Sequence, residues 1–245
     1  MDGISIENVS FRYSGSRDYQ LKKLYFHIPK GIFYGITGVN GSGKTTISLL
    51  FNGLIPHEIQ GELTGNVLIE GDNTKKYPIG YFAKKVGMLF QNPDFMLFNL
   101  TVFEEIAFGL KNFHLPVTPE TISHALTRVG LEGFEQRDPQ TLSLGEKQKV
   151  ALACILALDT SYIILDEPVA MLDYRGAVNL YQLLERLNKE SGKTIIVIEH
   201  DTEFLLRHTQ NTLVLNQGEI LFDDATKNVF KNEAKLQKIG IKVPK

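Results

Sequence analysis

A glycine-rich segment, Gly38-Val-Asn-Gly-Ser-Gly-Lys-Thr45, constrains the fold of this chain more than any other stretch. It fits the pattern GxxxxGK[ST] at every fixed position, follows an apolar run at Ile32–Thr37 and opens a helical pattern at Lys44–Asn52. The backbone N–H groups of such a turn wrap a phosphate chain, and the helix that follows presents its positive end. The segment predicts a βα unit that holds a nucleotide phosphate; the alternative is a glycine turn that binds nothing.

Two residues of this loop carry the expected chemistry. Lys44 is expected to neutralise the β- and γ-oxygens of a nucleotide, and the Thr45 hydroxyl is expected to ligate Mg²⁺. The sequence therefore predicts ATP or a similar nucleotide with Mg²⁺ as the bound group. The other predicted nucleotide contacts are the small or polar loop residues Gly38, Asn40, Gly41, Ser42, Gly43 and Thr46.

A pair of carboxylates follows the apolar stretch Tyr162–Asp166, which has the pattern of a buried strand. In a phosphate-binding α/β fold, Asp166 would complete the Mg²⁺ shell and Glu167 would polarise the attacking water. An apolar strand that ends in acids is common in other proteins, so this pattern alone is weak. Its position after the Thr45 segment and an all-helical block makes an NTPase the favoured interpretation.

Short β-branched runs alternate with helical patterns along most of the chain, which predicts an α/β fold with a largely parallel sheet. Ile4–Tyr13 and Leu21–Ile28 are predicted as an antiparallel pair. From Thr101 to Leu158 the pattern is entirely helical, and Pro or Gly residues separate its segments. The remaining predictions are helices at Val102–Phe113, Pro119–Val129, Leu144–Leu158 and Tyr174–Glu190, strands at Gly65–Gly71, Val86–Phe90 and Thr194–Ile198, a hairpin of Thr212–Leu215 and Glu219–Phe222, and a polar helix with a short tail after Thr226.

The composition excludes several classes of protein. With 26 Lys+Arg against 28 Asp+Glu and 43% hydrophobic residues, the chain is neither disordered nor broadly basic like many nucleic-acid binders. The longest apolar run, Val150–Leu158, has nine residues, too few for a transmembrane helix. The start at Met1 lacks the features of a secretory signal, and Cys154, the one cysteine, favours a reducing compartment and a packing role. We expect a cytoplasmic protein.

The segment Leu142-Ser-Leu-Gly-Glu-Lys-Gln148 resembles the LSGGQ signature of ATP-binding-cassette (ABC) ATPases. Ser143 with Glu146 three residues later is also a capping box at a helix N-terminus. Both interpretations hold together, because the family uses the free N–H groups of this helix end to bind a γ-phosphate on the partner subunit. The resemblance assigns this contact to Ser143, Gly145 and Glu146.

Other residues match ABC motifs in the same order. Tyr13 resembles the aromatic residue that stacks on adenine, with an ordinary strand tyrosine as the alternative. The resemblance implies that Gln91 contacts Mg²⁺ or water, that Asp173 meets the other subunit's phosphate loop, and that His200 senses the γ-phosphate. The remaining histidines have no ligand spacing and are expected to be incidental: His27, His57, His114, His124 and His208.

Within the ABC family, the chain is similar to the ATPases of energy-coupling-factor transporters, which drive vitamin, cobalt or nickel uptake. Phe90–Phe98 and Thr101–Gly109 resemble their FQNPDxQLF and TVxxxVAFG stretches, and Ile239–Pro244 resembles their C-terminal Gly-Leu-x-x-Pro element. The resemblance covers nearly the whole chain. Two departures from the pattern carry weight: Met96 replaces a glutamine, and Leu144 replaces a signature glycine. Glu146 also replaces the usual glutamine of the signature, but this is a frequent variant.

This resemblance implies a P-loop NTPase (RecA-like) core with an antiparallel β lobe and an inserted helical lobe. We predict the core and β lobe over residues 1–90 and 160–225, the helical signature lobe over 91–159, and a C-terminal tail over 226–245. It implies an ATPase that lies at the cytoplasmic face of the membrane. The alternatives are a non-transport soluble ABC ATPase and the ATPase of a conventional ABC importer.

The implied partners are a second ABC ATPase subunit, a transmembrane coupling subunit and a substrate-binding membrane subunit, without nucleic acid. A coupling helix of the membrane partner would lie in a groove whose apolar floor is Phe95, Met96, Leu97 and Phe98; the alternative is that these side chains are ordinary core. Two copies of this chain would place Leu144 in both composite sites. A non-identical second ATPase with an intact signature is therefore the favoured partner.

Overall fold

The α/β fold is confirmed in a computed structural model that describes residues 2–244. Met1 and Lys245, the ends of the predicted ranges, lie outside the described residues. The strands of this part are β1 (Gly3–Tyr13), β2 (Leu21–Pro29), β3 (Phe33–Gly38), β4 (Gly61–Ile69), β5 (Asp72–Asn73), β6 (Val86–Leu89), β7 (Tyr162–Asp166), β8 (Thr194–Ile198), β9 (Asn211–Asn216) and β10 (Glu219–Ala225). Its helices are α1 (Lys44–Phe51), α2 (Leu54–His57), α3 (Ile79–Ala83), α4 (Val102–Asn112), α5 (Pro119–Val129), α6 (Leu144–Ala157), α7 (Tyr174–Ser191), α8 (Thr202–His208), α9 (Thr226–Phe230) and α10 (Glu233–Lys238).

A six-stranded sheet in the order β10-β9-β3-β8-β7-β6 forms the centre of the fold. Its neighbours pair in parallel except β10, which runs antiparallel to β9 as the predicted hairpin requires. Asp166 of β7 pairs with Ile198 of β8, and Ile36 of β3 pairs with the same Ile198. The carboxyl ends of β3, β7 and β8 therefore meet at one edge, where ligands bind in open α/β sheets.

A second, antiparallel sheet has the order β2-β1-β4-β5. The predicted pairing of the first two strands is confirmed, with Ile4 opposite Ile28 and Phe11 opposite Leu21. Strand β4 begins at Gly61, earlier than the predicted Gly65. The prediction missed this first half because it is mostly exposed and lacks the run of apolar residues that marks a strand. A register shift opposite this half, between Glu7 and Ser10 of β1, accompanies the irregular pattern.

Two hydrophobic cores cover the two faces of the parallel sheet. In β7, Ile163 and Leu165 belong to the core formed with α4, α5, α6 and α7, whereas Tyr162 and Ile164 belong to the core shared with α1 and the antiparallel sheet. Burial of each such side chain contributes about 1.5–3 kcal/mol. Cys154 packs against the first core, and burial raises the pKa of its thiol, which fits the predicted packing role.

The predicted helical block is confirmed as α4, α5 and α6, and its helices begin at side-chain caps. Thr101 accepts a hydrogen bond from the N–H of Glu104, and Thr118, before a proline, accepts one from the N–H of Thr121. None of the helices within residues 2–244 has the length and apolar character needed to cross a bilayer.

The C-terminal region differs from its prediction. In place of one polar helix after Thr226, two short helices, α9 and α10, are separated at Lys231 and Asn232. Helix α8 was not predicted, although its cap is visible in the sequence: Asp201 accepts hydrogen bonds from the N–H groups of Glu203 and Phe204.

Candidate active site

The glycine-rich loop wraps around the ammonium group of Lys44. This side chain is only 6% exposed, and its Nζ donates to the carbonyl oxygens of Gly38 at 2.9 Å and Val39 at 3.1 Å. Gly43 precedes α1 with φ 107°, a conformation that side chains rarely adopt, and a Cβ there would lie 2.6 Å from Leu21 Cδ2. The loop geometry therefore needs glycine at this position, directly before the N-terminus of α1.

Two buried oxygens in this region have no hydrogen-bond partner among the described residues: Asp166 Oδ1 and Ser42 Oγ. Burial raises the pKa of Asp166 above its ordinary value, while the Thr45 hydroxyl and Lys44 oppose that rise. Burial also lowers the pKa of Lys44, which the charges of Glu167 and Asp166 counteract. An unpaired carboxylate oxygen beside a threonine hydroxyl and a lysine fits a divalent cation with a bound polyphosphate.

Glu167 lies between Gln91 and His200. Its Oε2 accepts a hydrogen bond from Gln91 Nε2 at 3.0 Å, and its Oε1 lies 3.0 Å from His200 Nε2. The backbone of Glu167 has φ 49°, a left-handed conformation that is uncommon for a residue other than glycine. The structure thus brings the three predicted catalytic side chains together. They lie beside an open cavity of about 430 Å³ that Thr45, Gln91, Asp166 and Glu167 help to line.

Tyr13 ends β1 next to α1, and its hydroxyl lies 2.9 Å from Thr46 Oγ1. The ring packs edge-on against Phe11, with 4.9 Å between ring centroids. A groove beside it is lined by Arg12, Tyr13 and the turn Ser14–Ser16. Tyr13 therefore lies next to the first turn of α1, which follows the glycine-rich loop.

The signature residues lie in a second group at the start of α6. Ser143 accepts from the N–H of Glu146 at 3.4 Å, and its own N–H and hydroxyl donate to Glu146 Oε2 at 2.8 and 2.6 Å, which closes the predicted capping box. Leu144 is half-buried. A concavity of about 200 Å³ joins Ser143, Gly145 and Glu146 to the start of α7.

Asp173, the predicted contact to another subunit, caps α7 in this chain: its Oδ1 accepts from the N–H of Gly176 at 2.7 Å. It lies next to the signature group, since Gly176 lines the same concavity. The signature and Asp173 thus form one surface, separate from the cavity beside Glu167.

The apolar segment after Gln91 is partly exposed. Phe95 is 85% exposed and Phe98 is 63% exposed, as a docking groove would require. The prediction is wrong for Leu97, which is 3% exposed and belongs to the helical core, and Met96 packs against that core as well. The cause is a short 3-10 turn at Pro93–Phe95, which changes the direction of successive side chains.

Three side chains that the motif analysis did not single out connect the parts of this site. Gln148 of α6 donates from Nε2 to the carbonyl oxygen of Pro168 at 2.7 Å, and Lys147 of α6 forms an ion pair with Asp94 at 2.6 Å. Glu199, directly after β8, is 3% exposed. The sequence marks Glu199 only weakly, because acids that follow an apolar strand are common in other proteins.

Several known proteins are similar to this chain over most of its length. A model of the ABC transporter family matches residues 21–170. A protein of Pyrococcus horikoshii, provisionally named an ABC transporter ATP-binding protein, is similar to this chain. The two are 44% identical over all of this chain and 87% of the relative's length. The energy-coupling factor transporter ATP-binding protein EcfA1 of Lactobacillus gasseri is 36% identical over 98% of this chain and 84% of its own length.

Solved structures extend the similarity to the fold. CbiO1 from Clostridium perfringens, part of the ABC transporter complex CbiONQ, has a TM-score of 0.85 and 30% identity over all of this chain and 97% of its own. The dimeric ATP-binding cassette MJ0796, bound to ADP and Pi, has a TM-score of 0.78 and 28% identity over 91% of this chain and 98% of its own.

These matches define the class of protein. The chain belongs to the ABC transporter ATP-binding family. It is an ATP-binding ATPase of that family, whose members form dimers and work with transmembrane subunits.

Proposed function

We propose that this chain hydrolyses ATP to power substrate uptake by an energy-coupling-factor-type ABC transporter, an importer of a vitamin or of cobalt or nickel ions. The observation that carries the proposal is similarity over essentially the whole chain to EcfA1 and to CbiO1. The chain would be a peripheral subunit at the cytoplasmic face of the cell membrane. Its partners would be a transmembrane coupling subunit and a substrate-binding membrane subunit.

Three exposed aromatic residues support the proposal of a membrane partner. We call this group, Phe95, Phe98 and Phe108, the docking surface. Phe98 and Phe108 pack edge-on with 4.9 Å between ring centroids, and Phe108 is 44% exposed. Exposed aromatic clusters of this kind are typical of interfaces. A coupling helix of the transmembrane subunit would pack its apolar side on this surface.

The docking surface adjoins the proposed catalytic residues. Phe95 lines the same cavity as Gln91 and Glu167. The ion pair of Asp94 with Lys147 also ties this segment to the signature helix α6. A docked helix would therefore lie beside the cavity that Gln91 and Glu167 line and beside the ion pair that joins this segment to the signature helix.

The loop and its surroundings fit Mg²⁺ and ATP. Thr45, Asp166 and Gln91 would hold the ion, which neutralises charge on the phosphate oxygens when bound. Lys44 would turn its ammonium from the carbonyls of Gly38 and Val39 toward the phosphates. The backbone N–H groups of the loop would bind the same oxygens.

Hydrolysis would depend on the three side chains around Glu167. The Glu167 carboxylate would accept a proton from the attacking water, and Gln91 would orient that water. His200 would hold the carboxylate and contact the γ-phosphate. Tyr13 would stack on adenine, and its hydrogen bond to Thr46 would fix the distance between the base and the phosphates.

A second ATPase subunit would complete each nucleotide site. Ser143, Gly145 and Glu146 of one subunit would face the phosphates held by the other, and Asp173 would meet the other subunit's phosphate loop. The helical lobe, proposed for residues 91–159, would move on ATP binding and release. Leu144 places a side chain where a glycine lets the backbone approach a phosphate, which favours a non-identical partner.

Co-purification from solubilised membranes tests the transporter assignment. The tagged full chain is expected to recover a protein with several transmembrane segments and a second ATPase. Phe95→Asp should lower recovery of the membrane protein at least about tenfold, since a charge in an apolar contact costs several kcal/mol. Tyr25→Asp is the matched control, because Tyr25 is 74% exposed on the antiparallel sheet. Recovery by Phe95→Asp equal to that of the control would contradict the docking surface, and recovery of no membrane protein would contradict the transporter role.

The class of transporter needs a transport assay. The co-purified complex is reconstituted in vesicles, and ATP-dependent uptake of vitamins, cobalt and nickel is compared with uptake of amino acids. Uptake of a vitamin or of either metal ion supports the energy-coupling-factor assignment. Uptake of an amino acid alone would instead make this chain the ATPase of a conventional importer.

A further inference from the structure

The peptide bond between Pro168 and Val169 is held from both sides. Its carbonyl oxygen accepts a hydrogen bond of 2.7 Å from Gln148 Nε2 of the signature helix α6. Its N–H donates to Glu199 Oε1 at 3.4 Å. A single peptide group, one residue beyond Glu167, thus connects α6 with the segment that carries His200.

The other oxygen of the Glu199 carboxylate binds the His200 segment itself. Glu199 Oε2 accepts from the N–H of His200 at 3.0 Å and from the N–H of Asp201 at 3.4 Å. Each oxygen therefore serves a different segment. Such an arrangement requires an acceptor at both terminal atoms of the side chain. A carboxylate has two acceptor oxygens, whereas an amide has one oxygen and one NH₂ donor.

The position of Glu199 is unfavourable for a residue with only a packing role. It is 3% exposed, and burial raises its pKa to about 7. An apolar residue there would avoid the cost of desolvating a carboxylate. Buried carboxylates with a raised pKa often lie at functional sites.

The backbone at Glu167 needs external support. Its φ of 49° is a left-handed conformation, which is unfavourable for a residue other than glycine. Strained residues of this kind persist only where their surroundings hold them. The N–H of Glu167 donates to the carbonyl of Ile198 at 2.9 Å, and the peptide bond that follows Pro168 is fixed by Gln148 and Glu199.

We propose that Glu199 is a positioning residue for ATP hydrolysis, which keeps Glu167 and His200 in register with each other and with the signature helix. The inference rests on the catalytic roles proposed above for Glu167 and His200. Glu199 does not contact the nucleotide itself. It fixes the two segments on which those side chains lie, and through Gln148 it joins them to the helix that would contact the partner's nucleotide.

The central test is Glu199→Gln in the full chain, in complex with its partner subunits at pH 8, where the native carboxylate is ionised. An amide can accept from Val169 or from the His200 segment but not from both. We expect kcat for ATP to fall about tenfold or more, the scale of one lost hydrogen bond to a charged group, with KM for ATP within about twofold. Amide hydrogen exchange should become faster in residues 169–173 or 200–204.

Glu185→Gln is the matched control, because the Glu185 carboxylate also joins two elements, accepting a hydrogen bond of 2.8 Å from His208 Nδ1, away from the His200 segment. It should keep the wild-type kcat. An unchanged kcat for Glu199→Gln, or unchanged exchange in both segments, overturns the proposal. If Glu199→Gln has a lower Tm than the control, Gln148→Leu is measured as a second variant, because Gln148 binds the same peptide group. A lower kcat with faster exchange in residues 169–173 supports the proposal, and a wild-type kcat overturns it.

Glu167→Gln is measured in parallel to separate the two levels of inference. Near-wild-type hydrolysis by Glu167→Gln would refute the proposed catalytic role. The exchange rates in Glu199→Gln do not depend on that role, and they decide independently whether Glu199 holds the two segments.

Discussion

Glu167→Gln removes charge and basicity at the proposed catalytic centre with little change of shape. In the native chain the two carboxylate oxygens contact Gln91 Nε2 and His200 Nε2, each at 3.0 Å. The amide of glutamine can still accept from Gln91, and its nitrogen can donate to a neutral His200 ring. The left-handed backbone at this position is no more strained for glutamine than for glutamate.

The size of the expected effect follows from these contacts. Since the geometry survives, the variant should differ from the native chain by less than about 1 kcal/mol in the free energy of unfolding. Loss of a general base lowers turnover by about 100-fold or more, which corresponds to roughly 2.7 kcal/mol of activation free energy. ATP affinity should change by less than about threefold, because Lys44 and the loop N–H groups remain.

Steady-state ATPase measurements on the complex give kcat, and binding of a fluorescent ATP analogue gives affinity. The variant should also accumulate as an ATP-bound dimer in size-exclusion chromatography. Glu190→Gln, at an exposed position of α7, is the control and should behave as the native chain. Hydrolysis above about half the native rate, with normal ATP binding, would show that Glu167 is not the base.

Lys44→Ala should abolish ATP binding or hydrolysis while the chain stays folded, measured by nucleotide binding and circular dichroism; near-native ATPase would contradict the phosphate-loop assignment. Leu144→Gly should raise turnover at the site that uses this signature by about tenfold, and a stable native homodimer with two equally active sites would argue against the asymmetric pair. The pKa of Glu199 rises from 4.5 to about 7 on folding, so the folded chain binds this proton more tightly than the unfolded chain does. The resulting stabilisation of roughly 3 kcal/mol is complete below about pH 4.5 and is lost as the pH rises through 7. Thermal unfolding between pH 4.5 and 8 should show this fall, and Glu199→Gln should remove it; an equal slope in both proteins would contradict the assignment.

The parallel strands were predictable because they are buried on both faces and appear as continuous apolar runs. The bounds of β7 and β8 match the predictions for Tyr162–Asp166 and Thr194–Ile198. The first half of β4 was missed because strand pairing, not apolar alternation, forms it. Helix α8 has only seven residues, too few for a helical period to be visible in the sequence.

The clustering of Gln91, Glu167 and His200 could be predicted because a parallel sheet brings the carboxyl ends of its strands together. The exposure of Phe95 and the burial of Leu97 could not be predicted, since a 3-10 turn follows neither the helical nor the strand period. The link from Gln148 to Glu199 also escaped prediction. It passes through the backbone of Pro168 and Val169, and no side-chain pattern reports that.

The alternation of side chains between the two cores has an evolutionary consequence. In β7 the same alternation that sends Ile163 and Leu165 to one core places Asp166, the last residue of the strand, beside Thr45. A substitution within the strand changes the shape of one core, whereas deletion of one residue would exchange the two cores and turn Asp166 away from Thr45 at once. Lineages of this protein should therefore vary freely among apolar residues in Tyr162–Leu165 but keep its length unchanged, with insertions and deletions confined to the loops.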